Sequence, residues 1–216
     1  MTLSDLLQHI YVIHFEPLVE RKIHLDDLLR RIADVKVSYR IMNEETDEVA
    51  KLEYNSKFLS SPRREKITPQ ELAVSLAHLE VYRDIVRKGY ETCLILEDDA
   101  VLNDFFFDNI RSALVESKEF DFTFLSSCCN LHAPRTRTGL LQESSTSRSV
   151  CGYIVRSNCL EKVIKACEPF IDVIDWQLNH IRQELNLRYA WSEPEIVIQG
   201  SEKEFESNMH KVRSKR

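Results

Sequence analysis

Three consecutive carboxylates, Glu97, Asp98 and Asp99, directly follow the apolar run CLIL at residues 93–96. Like charges placed side by side repel one another, and a carboxylate removed from water is costly unless a cation or a hydrogen-bond donor lies beside it. A chain that ends a buried strand in three carboxylates therefore indicates a positively charged partner at this place.

The side chains of this acidic triplet divide between two sides of the chain if the strand continues to Asp99. Successive side chains alternate in a strand, so Glu97 and Asp99 point one way and Asp98 the other. Two carboxylates on one side suit Mg²⁺ or Mn²⁺, which take oxygen ligands and share them with substrate phosphates. Such an ion stabilises a leaving diphosphate, which predicts metal-assisted transfer from a nucleotide-linked donor. The alternative is that the triplet only begins a loop and caps the helix near residue 103.

The elements around the triplet alternate between strand and helix. Residues rich in β-branched and aromatic types predict strands at 10–15, 35–42, 92–97, 121–126, 150–155 and near 188–192. Apolar residues at helical spacing predict helices at 17–34, 68–88, 103–117, 157–168 and 175–185. This order predicts an α/β fold with a central, mostly parallel sheet flanked by helices. Ligands of such sheets bind beyond the carboxyl ends of the strands, which is where the triplet lies.

The clearest helix signal is the sequence TPQE, in which Thr68 and Glu71 form a capping box around a proline at the first helical position. Gly89 predicts the end of that helix. The polar residues 43–67 before it are expected to form a loop.

A second polar stretch, residues 127–149, has no periodicity and is long for a simple connection. It contains Arg135, Arg137 and Arg148. We expect a flexible loop that gates the site, because loops that close over a bound donor exclude water that would otherwise hydrolyse the transferred group. A loop without function is the alternative.

Composition predicts one globular domain over residues 1–216, with 43% hydrophobic and 30% charged residues. The net charge of −6 gives no reason to expect nucleic-acid binding. Six cysteines without a CxxC pair favour a reducing compartment. No secretory leader and no apolar run of about 18 residues is visible, so we expect a cytoplasmic protein. The basic tail at 208–216 is either solvated or makes a weak peripheral contact with an anionic membrane surface.

Six segments occur in the order found in glycosyltransferase family 25, which the chain resembles over residues 10–207. They are YVIHFEPLVERK, ITPQELAVSLAHLEVYRDIV, CLILEDDAVL, GYIVRSNCLEKVI, DVIDWQL and EPEIVIQGSEKEFES. The family includes lipooligosaccharide and collagen galactosyltransferases. The resemblance implies a GT-A-like fold, a UDP-hexose donor (most often UDP-galactose), a divalent metal and inversion at the transferred sugar.

The resemblance assigns the metal, Mn²⁺ or Mg²⁺, to the acidic triplet. It agrees with the strand argument on Asp99 as the direct ligand. Glu97 would ligate through water or assist, and Asp98 would reach the ribose or the donor sugar.

Two aspartates near the segment DVIDWQL are candidates for the general base of an inverting transferase. Asp175 stands where the family carries an aspartate just before a helix, and Asp172 is the second candidate. A base must lie within hydrogen-bond reach of the acceptor hydroxyl. The alternative for Asp175 is a helix N-cap, since aspartate accepts bonds from free N–H groups there.

Further donor contacts follow from the resemblance. His78 matches a family histidine that contacts donor or phosphate, although a lone histidine on an apolar helix face is usually a core residue, and Ala77 stands where the family usually has serine. Four other residues are donor-binding candidates: Arg21 for diphosphate charge (or a surface ion pair with a nearby glutamate), His14 in place of a family asparagine, and Gln199 and Ser201 in a terminal block that closes over the donor.

The acceptor and two other functions stay open at this stage. A glycan, lipopolysaccharide and the hydroxylysine of a collagen-like chain all fit the resemblance, and galactose is not distinguished from glucose. The alternatives are a metal-dependent phosphohydrolase using the same carboxylates and a non-catalytic relative that binds nucleotide sugars.

Overall fold

The computed structural model describes residues 2–32, 34–43, 67–128 and 131–203, without the side chains of 202 and 203. Most of the predicted loop at 43–67 and the whole basic tail at 208–216 lie outside the described residues. Within the described ranges, no helix has the length and apolar character needed to cross a membrane.

The predicted alternation of strands and helices is confirmed. The helices are α1 (Val19–Leu29), α2 (Pro69–Lys88), α3 (Asp104–Glu116), α4 (Leu160–Ala166), α5 (Ile174–Glu184) and α6 (Gly200–Lys203). The strands are β1 (His9–Phe15), β2 (Lys36–Met42), β3 (Thr92–Glu97), β4 (Ala100–Leu102), β5 (Phe122–Phe124), β6 (Ser126–Ser127), β7 (Leu141–Ser144), β8 (Gly152–Arg156), β9 (Tyr189–Ser192) and β10 (Val197–Gln199).

Among the described residues, seven strands form the central sheet in the order β2-β1-β3-β8-β5-β9-β7. β1 is parallel to β2 and β3, β5 is parallel to β9, and β8 and β7 are antiparallel to their neighbours. β8 and β7 therefore run against the other five strands, which all run the same way. This confirms a mostly parallel sheet. The carboxyl ends of β1 and β3 therefore lie side by side at one edge.

Helices cover both faces of the sheet because the buried strands are apolar on both sides. In β3, Cys93 and Ile95 belong to a core shared with α2, α4 and α5, whereas Leu94 and Leu96 belong to a core shared with α1 and α3. Alternation along β3 thus places Glu97 on the face that α2 covers.

A small second sheet has the order β4-β10-β6, and its strand β4 begins directly after the triplet. β10 pairs antiparallel with β4, with Gln199 opposite Ala100, and parallel with β6. The sequence patterns did not predict β4 or β10, because each has only three residues and no alternation long enough to read.

The predicted helix boundaries are confirmed for α2. The Thr68 hydroxyl accepts the Glu71 N–H at 3.2 Å, the Glu71 carboxylate accepts the Thr68 N–H at 2.8 Å, and Gly89 ends the helix at φ 68°. The acidic triplet does not cap α3, since the Asn103 side chain accepts the Phe106 N–H at 3.0 Å and does so instead.

The loop interpretation of residues 127–149 is wrong for the four residues of β7. Residues 141–144 form β7, an edge strand paired with β9, and residues 129 and 130 lie outside the described part of the chain. The arginines expected in a gating loop are held by the protein. Arg148 is buried and donates to the carbonyls of Ser126 and Ser192. Arg137 donates to the Glu119 carboxylate, and Arg135 donates to a backbone carbonyl.

Gly152, the first residue of β8, is required by the close approach of β10. A Cβ built on Gly152 would lie 2.9 Å from Cγ1 of Val197. We expect Gly152→Ala to lower the free energy of unfolding by about 1–3 kcal/mol through overpacking, measured by urea denaturation. In a Val197→Ala background the same substitution should cost less, because two of the three close atoms are removed, and an equal cost in both backgrounds would contradict this packing argument.

Candidate active site

Asp98 and Asp99 form a turn between two strands, since β3 ends at Glu97 and β4 begins at Ala100. Carboxylate oxygens of Glu97 and Asp99 lie within 4.8 Å of each other and of the Cys151 sulfur. The Asp98 carboxylate is not part of this group and contacts residues of β1 and α1. The structure thus divides the triplet as alternation suggested, although a turn produces the division.

Asp98 is held by three donors from the first strand and helix. Its carboxylate accepts hydrogen bonds from His14 Nδ1 at 3.0 Å, from the Phe15 N–H at 2.9 Å and from Arg21 Nη1 at 3.0 Å. The side chains of Asp98 and Arg21 are 10% and 12% exposed. The protein itself therefore compensates this charge.

The structure gives three predicted donor-binding residues partners inside the protein, and their contact with a donor stays a prediction. Asp98, His14 and Arg21 were expected to contact the donor separately, and the structure joins them to one another at the ends of β1 and β3. The Arg21 guanidinium lies 3.0 Å from the carboxylate of the buried Asp98.

Glu97 is held from the side of α2. His78 is fully buried, with Nε2 at 3.1 Å from Glu97 Oε1 and Nδ1 at 2.8 Å from the hydroxyl of Tyr153. Both ring nitrogens of His78 are thus used inside the protein, and its contact with a donor stays a prediction. Burial raises the pKa of Glu97; the bond from His78 opposes that shift, and the charges of Asp99 and Asp98 add to it.

Asp99 is held by the terminal block and by a thiol. The Cys151 thiol donates to Oδ1 and the Ser201 N–H to Oδ2, both at 3.3 Å, while the Asp99 carbonyl accepts the Gly200 N–H at 2.8 Å. The side chain of Gln199 lies 3.2 Å from the Ser149 hydroxyl and 3.3 Å from that of Ser201. The predicted terminal residues thus lie against the triplet, and their contact with a donor stays a prediction.

The donor set fits a hard divalent cation. Glu97 and Asp99 offer carboxylate oxygens, the ligands that Mg²⁺ and Mn²⁺ prefer. Burial raises the pKa of the Cys151 thiol well above its ordinary value, and the charges of Asp99 and Glu97 raise it further. The thiol therefore stays protonated near neutral pH and orients Asp99 as a hydrogen-bond donor.

The two base candidates differ in access. Asp175 lies half-buried in the first turn of α5, and Asp172 is nearly fully buried, with its carboxylate accepting the Val173 N–H at 2.9 Å. Asp172 is therefore disfavoured as a residue that meets a substrate hydroxyl. The N-cap interpretation of Asp175 is wrong, because Val173 occupies the N-cap position.

Burial raises the pKa of Asp175 to about 6. A bond from the Trp176 N–H opposes the shift, and the charges of Glu97 and Asp172 add to it. A carboxylate with a pKa near 6 is a stronger base than an ordinary aspartate and is still ionised at pH 7.

Sequence reasoning missed the residues that hold Glu97 and Asp99 from β8. Tyr153 lies in that strand, which pairs antiparallel with β3, and Cys151 directly precedes it. The strand itself was predicted, but its place beside β3 depends on sheet order, for which the sequence carries no signal. Sequence reasoning also missed a second group that could ligate a metal: His132, Glu193 and Glu195. The buried Arg148 pairs with Glu193 at 3.2 Å, and its charge opposes a further cation there.

Comparison with known proteins decides the family. Residues 7–178 match the family model described as glycosyltransferase family 25, LPS biosynthesis protein. The chain belongs to glycosyltransferase family 25. The matched range contains the acidic triplet and both aspartates of the DVIDWQL region, and it ends before Gln199 and Ser201. No curated protein matches the sequence.

A solved structure resembles this family 25 protein in fold. It is the crystal structure of a glycosyltransferase involved in the glycosylation of the major capsid of PBCV-1, with 10% sequence identity and a TM-score of 0.50. The match covers 95% of this chain and 99% of the other. At this identity the likeness shows the fold alone, so the family match carries the functional statement: the protein is a glycosyltransferase.

The unequal environments of Asp98 and Asp99 predict opposite effects of their substitution on stability. In metal-free buffer, Asp98→Asn should lower the free energy of unfolding by about 2–4 kcal/mol, since the change removes the negative charge that pairs with the largely buried Arg21 side chain. Asp99→Asn should leave stability unchanged or raise it by up to about 1 kcal/mol, because it removes repulsion with Glu97 and keeps an acceptor for its two donors. Urea denaturation with a chelator present measures both, and equal losses would refute the division of roles.

Proposed function

We propose that this protein is a metal-dependent inverting hexosyltransferase with a GT-A-like fold. It moves galactose or glucose from a UDP-sugar to a hydroxyl of a glycan, lipopolysaccharide or hydroxylysine acceptor. The observation that carries the proposal is the division of the triplet: the protein neutralises Asp98 and leaves Glu97 and Asp99 together at the carboxyl edge of the sheet.

Asp99 and Glu97 are the residues that would hold Mn²⁺ or Mg²⁺. When bound, the ion neutralises charge on the diphosphate as the sugar leaves it. Asp99 serves as the direct ligand because the Cys151 thiol and the Ser201 N–H fix its carboxylate. Glu97 assists directly or through water, and His78 fixes its orientation.

The terminal block supports a donor site on the same side of the sheet. Ser201 donates its N–H to Asp99, and Gln199 lies between the hydroxyls of Ser149 and Ser201. Polar side chains at this place supply donors and acceptors for the uridine or sugar hydroxyls, which determine orientation in a ligand site.

Asp175 is proposed as the general base. Its carboxylate takes the proton from the acceptor hydroxyl while that oxygen forms a bond to the anomeric carbon. The bond from the anomeric carbon to the phosphate oxygen breaks, its electron pair leaves with UDP, and the configuration at the anomeric carbon inverts. The raised pKa of Asp175, about 6, increases its proton affinity and still allows ionisation at neutral pH.

The proposal predicts donor binding that depends on the metal and on Asp99. Isothermal titration with UDP-galactose and UDP-glucose, each with and without Mn²⁺, should show binding that weakens at least about tenfold without the ion. Asp99→Ala should abolish the effect of the ion. Asp108→Asn is the matched control, since it also removes one carboxylate, on the exposed face of α3.

Two results would contradict this proposal. Binding of UDP-sugars at equal affinity with and without Mn²⁺ would refute the role of the metal. Absence of uridine-nucleotide binding in every condition would refute the donor, and release of free phosphate from nucleotides would favour a phosphohydrolase that uses the same carboxylates.

The base assignment predicts a pH-dependent rate. Transfer monitored by UDP release should fall about tenfold per pH unit below pH 6, because Asp175, whose pKa is raised to about 6, becomes protonated. Asp175→Asn should lower kcat by about 100-fold or more and remove that limb of the profile. A variant that keeps the wild-type profile would exclude Asp175 as the base.

The same raised pKa predicts that replacing the Asp175 carboxylate by an amide stabilises the protein at neutral pH. The folded protein binds this proton more tightly than the unfolded chain, so the stabilising contribution is present at low pH and is lost as the pH rises through about 6. At pH 7.5, Asp175→Asn should therefore raise the free energy of unfolding by about 1–2 kcal/mol. Loss of activity together with a gain in stability separates a catalytic from a structural role.

A further inference from the structure

A buried chain of hydrogen bonds runs from Glu97 into the core. Nε2 of His78 lies 3.1 Å from Oε1 of Glu97, and Nδ1 lies 2.8 Å from the hydroxyl of Tyr153. That hydroxyl in turn lies 2.8 Å from the hydroxyl of Tyr82. His78, Tyr153 and Tyr82 are each 0% exposed, so each of these groups depends on the others for its hydrogen bonds.

Three elements bring this chain of residues together. Tyr153 lies opposite Ile95 in the antiparallel β3–β8 pair, and Glu97 follows Ile95 by two residues, so all three side chains share the face that α2 covers. On α2, His78 and Tyr82 are four residues apart and lie on the same side of the helix. The Tyr153 ring stacks on the His78 ring with a centroid distance of 5.8 Å.

Proton counting gives this chain of hydrogen bonds a direction. If Tyr82 donates to Tyr153 and Tyr153 donates to Nδ1 of His78, then Nε2 carries the imidazole proton and donates to Glu97. Every polar group then has a partner. In the opposite direction Nδ1–H donates to Tyr153, Tyr153 donates to Tyr82, and the buried Tyr82 proton has no acceptor in the chain, which costs free energy.

We propose that Tyr153 is a positioning residue for the metal-binding carboxylate Glu97. Its hydroxyl donates to Nδ1 of His78, which fixes the Nε2–H tautomer and the ring, and the ring aims Glu97 toward Asp99. The inference rests on the proposed metal site and adds a residue two contacts away from it. Hydrogen-bond partners behind a metal ligand commonly control its affinity in this way.

Substitution of single hydroxyls tests this role. Tyr153→Phe keeps the ring and removes only the donor to His78. We expect the affinity for Mn²⁺ alone, measured by titration calorimetry or electron paramagnetic resonance, to fall about tenfold. Tyr82→Phe leaves Tyr153 able to donate and should lower the affinity by about threefold or less.

Tyr189→Phe is the matched control. Tyr189 is also fully buried, and its hydroxyl donates to the Leu178 carbonyl at 2.7 Å, away from this chain of residues. The two substitutions should destabilise the protein to a similar degree, but only Tyr153→Phe should weaken metal binding. Equal Mn²⁺ affinity in Tyr153→Phe and Tyr189→Phe would overturn the proposal.

The tautomer of His78 gives a second readout that does not need the metal. In the metal-free wild type, long-range ¹H–¹⁵N correlation spectra should show Nε2 protonated and Nδ1 unprotonated. In Tyr153→Phe the Nδ1 resonance should move toward that of a nitrogen without a hydrogen bond. A wild-type Nδ1–H tautomer would overturn the proposed direction.

The two readouts separate this inference from the proposed function. If the wild type fails to bind Mn²⁺, the metal-dependent function fails, whatever the tautomer. If the wild type binds Mn²⁺ and Tyr153→Phe binds it equally well, the function stands and the role of Tyr153 is refuted.

Discussion

The mutual repulsion of three adjacent carboxylates is the constraint on which the rest of this site depends. Asp98 is compensated by Arg21, His14 and a backbone N–H, so it becomes part of the folded scaffold. Glu97 and Asp99 receive hydrogen bonds from His78, Cys151 and Ser201, and no lysine or arginine among the described residues forms an ion pair with them. Because their charges are incompletely compensated, these two carboxylates are suited to bind a cation, and a bound cation would relieve the repulsion between them.

Each carboxylate is held by a different part of the fold. The first strand and helix hold Asp98, and α2 holds Glu97 through His78. Cys151, directly before β8, and the terminal block hold Asp99. Because the strands are apolar on both faces, helices pack on both sides and deliver these partners from opposite directions. The strand β8 is antiparallel within an otherwise mostly parallel sheet. The carbonyl of Cys151, just before β8, accepts the Glu97 N–H at 2.8 Å and thereby fixes the end of β3.

The long elements could be predicted from the sequence because their patterns are local. The capping box at Thr68, the helical spacing in α2 and the apolar run of β3 each involve neighbouring residues. β4, β7 and β10 were missed because they are three or four residues long and are stabilised by pairing with strands distant in sequence. The same limit applies to Arg148, which was interpreted as part of a mobile loop and is a buried ion-pair partner of Glu193.

By itself the sequence determined the family, the strand-helix order and the place of the carboxylates at the end of a buried strand, since these follow from local composition and segment order. Only the tertiary structure decided which carboxylate is neutralised and which aspartate is accessible. It also decided that His78 serves Glu97 and is joined to Tyr153. Those outcomes depend on contacts such as His14 with Asp98, which are 84 residues apart, and on sheet order. Electrostatic and hydrogen-bond energies depend on distance in space, which a linear pattern does not encode.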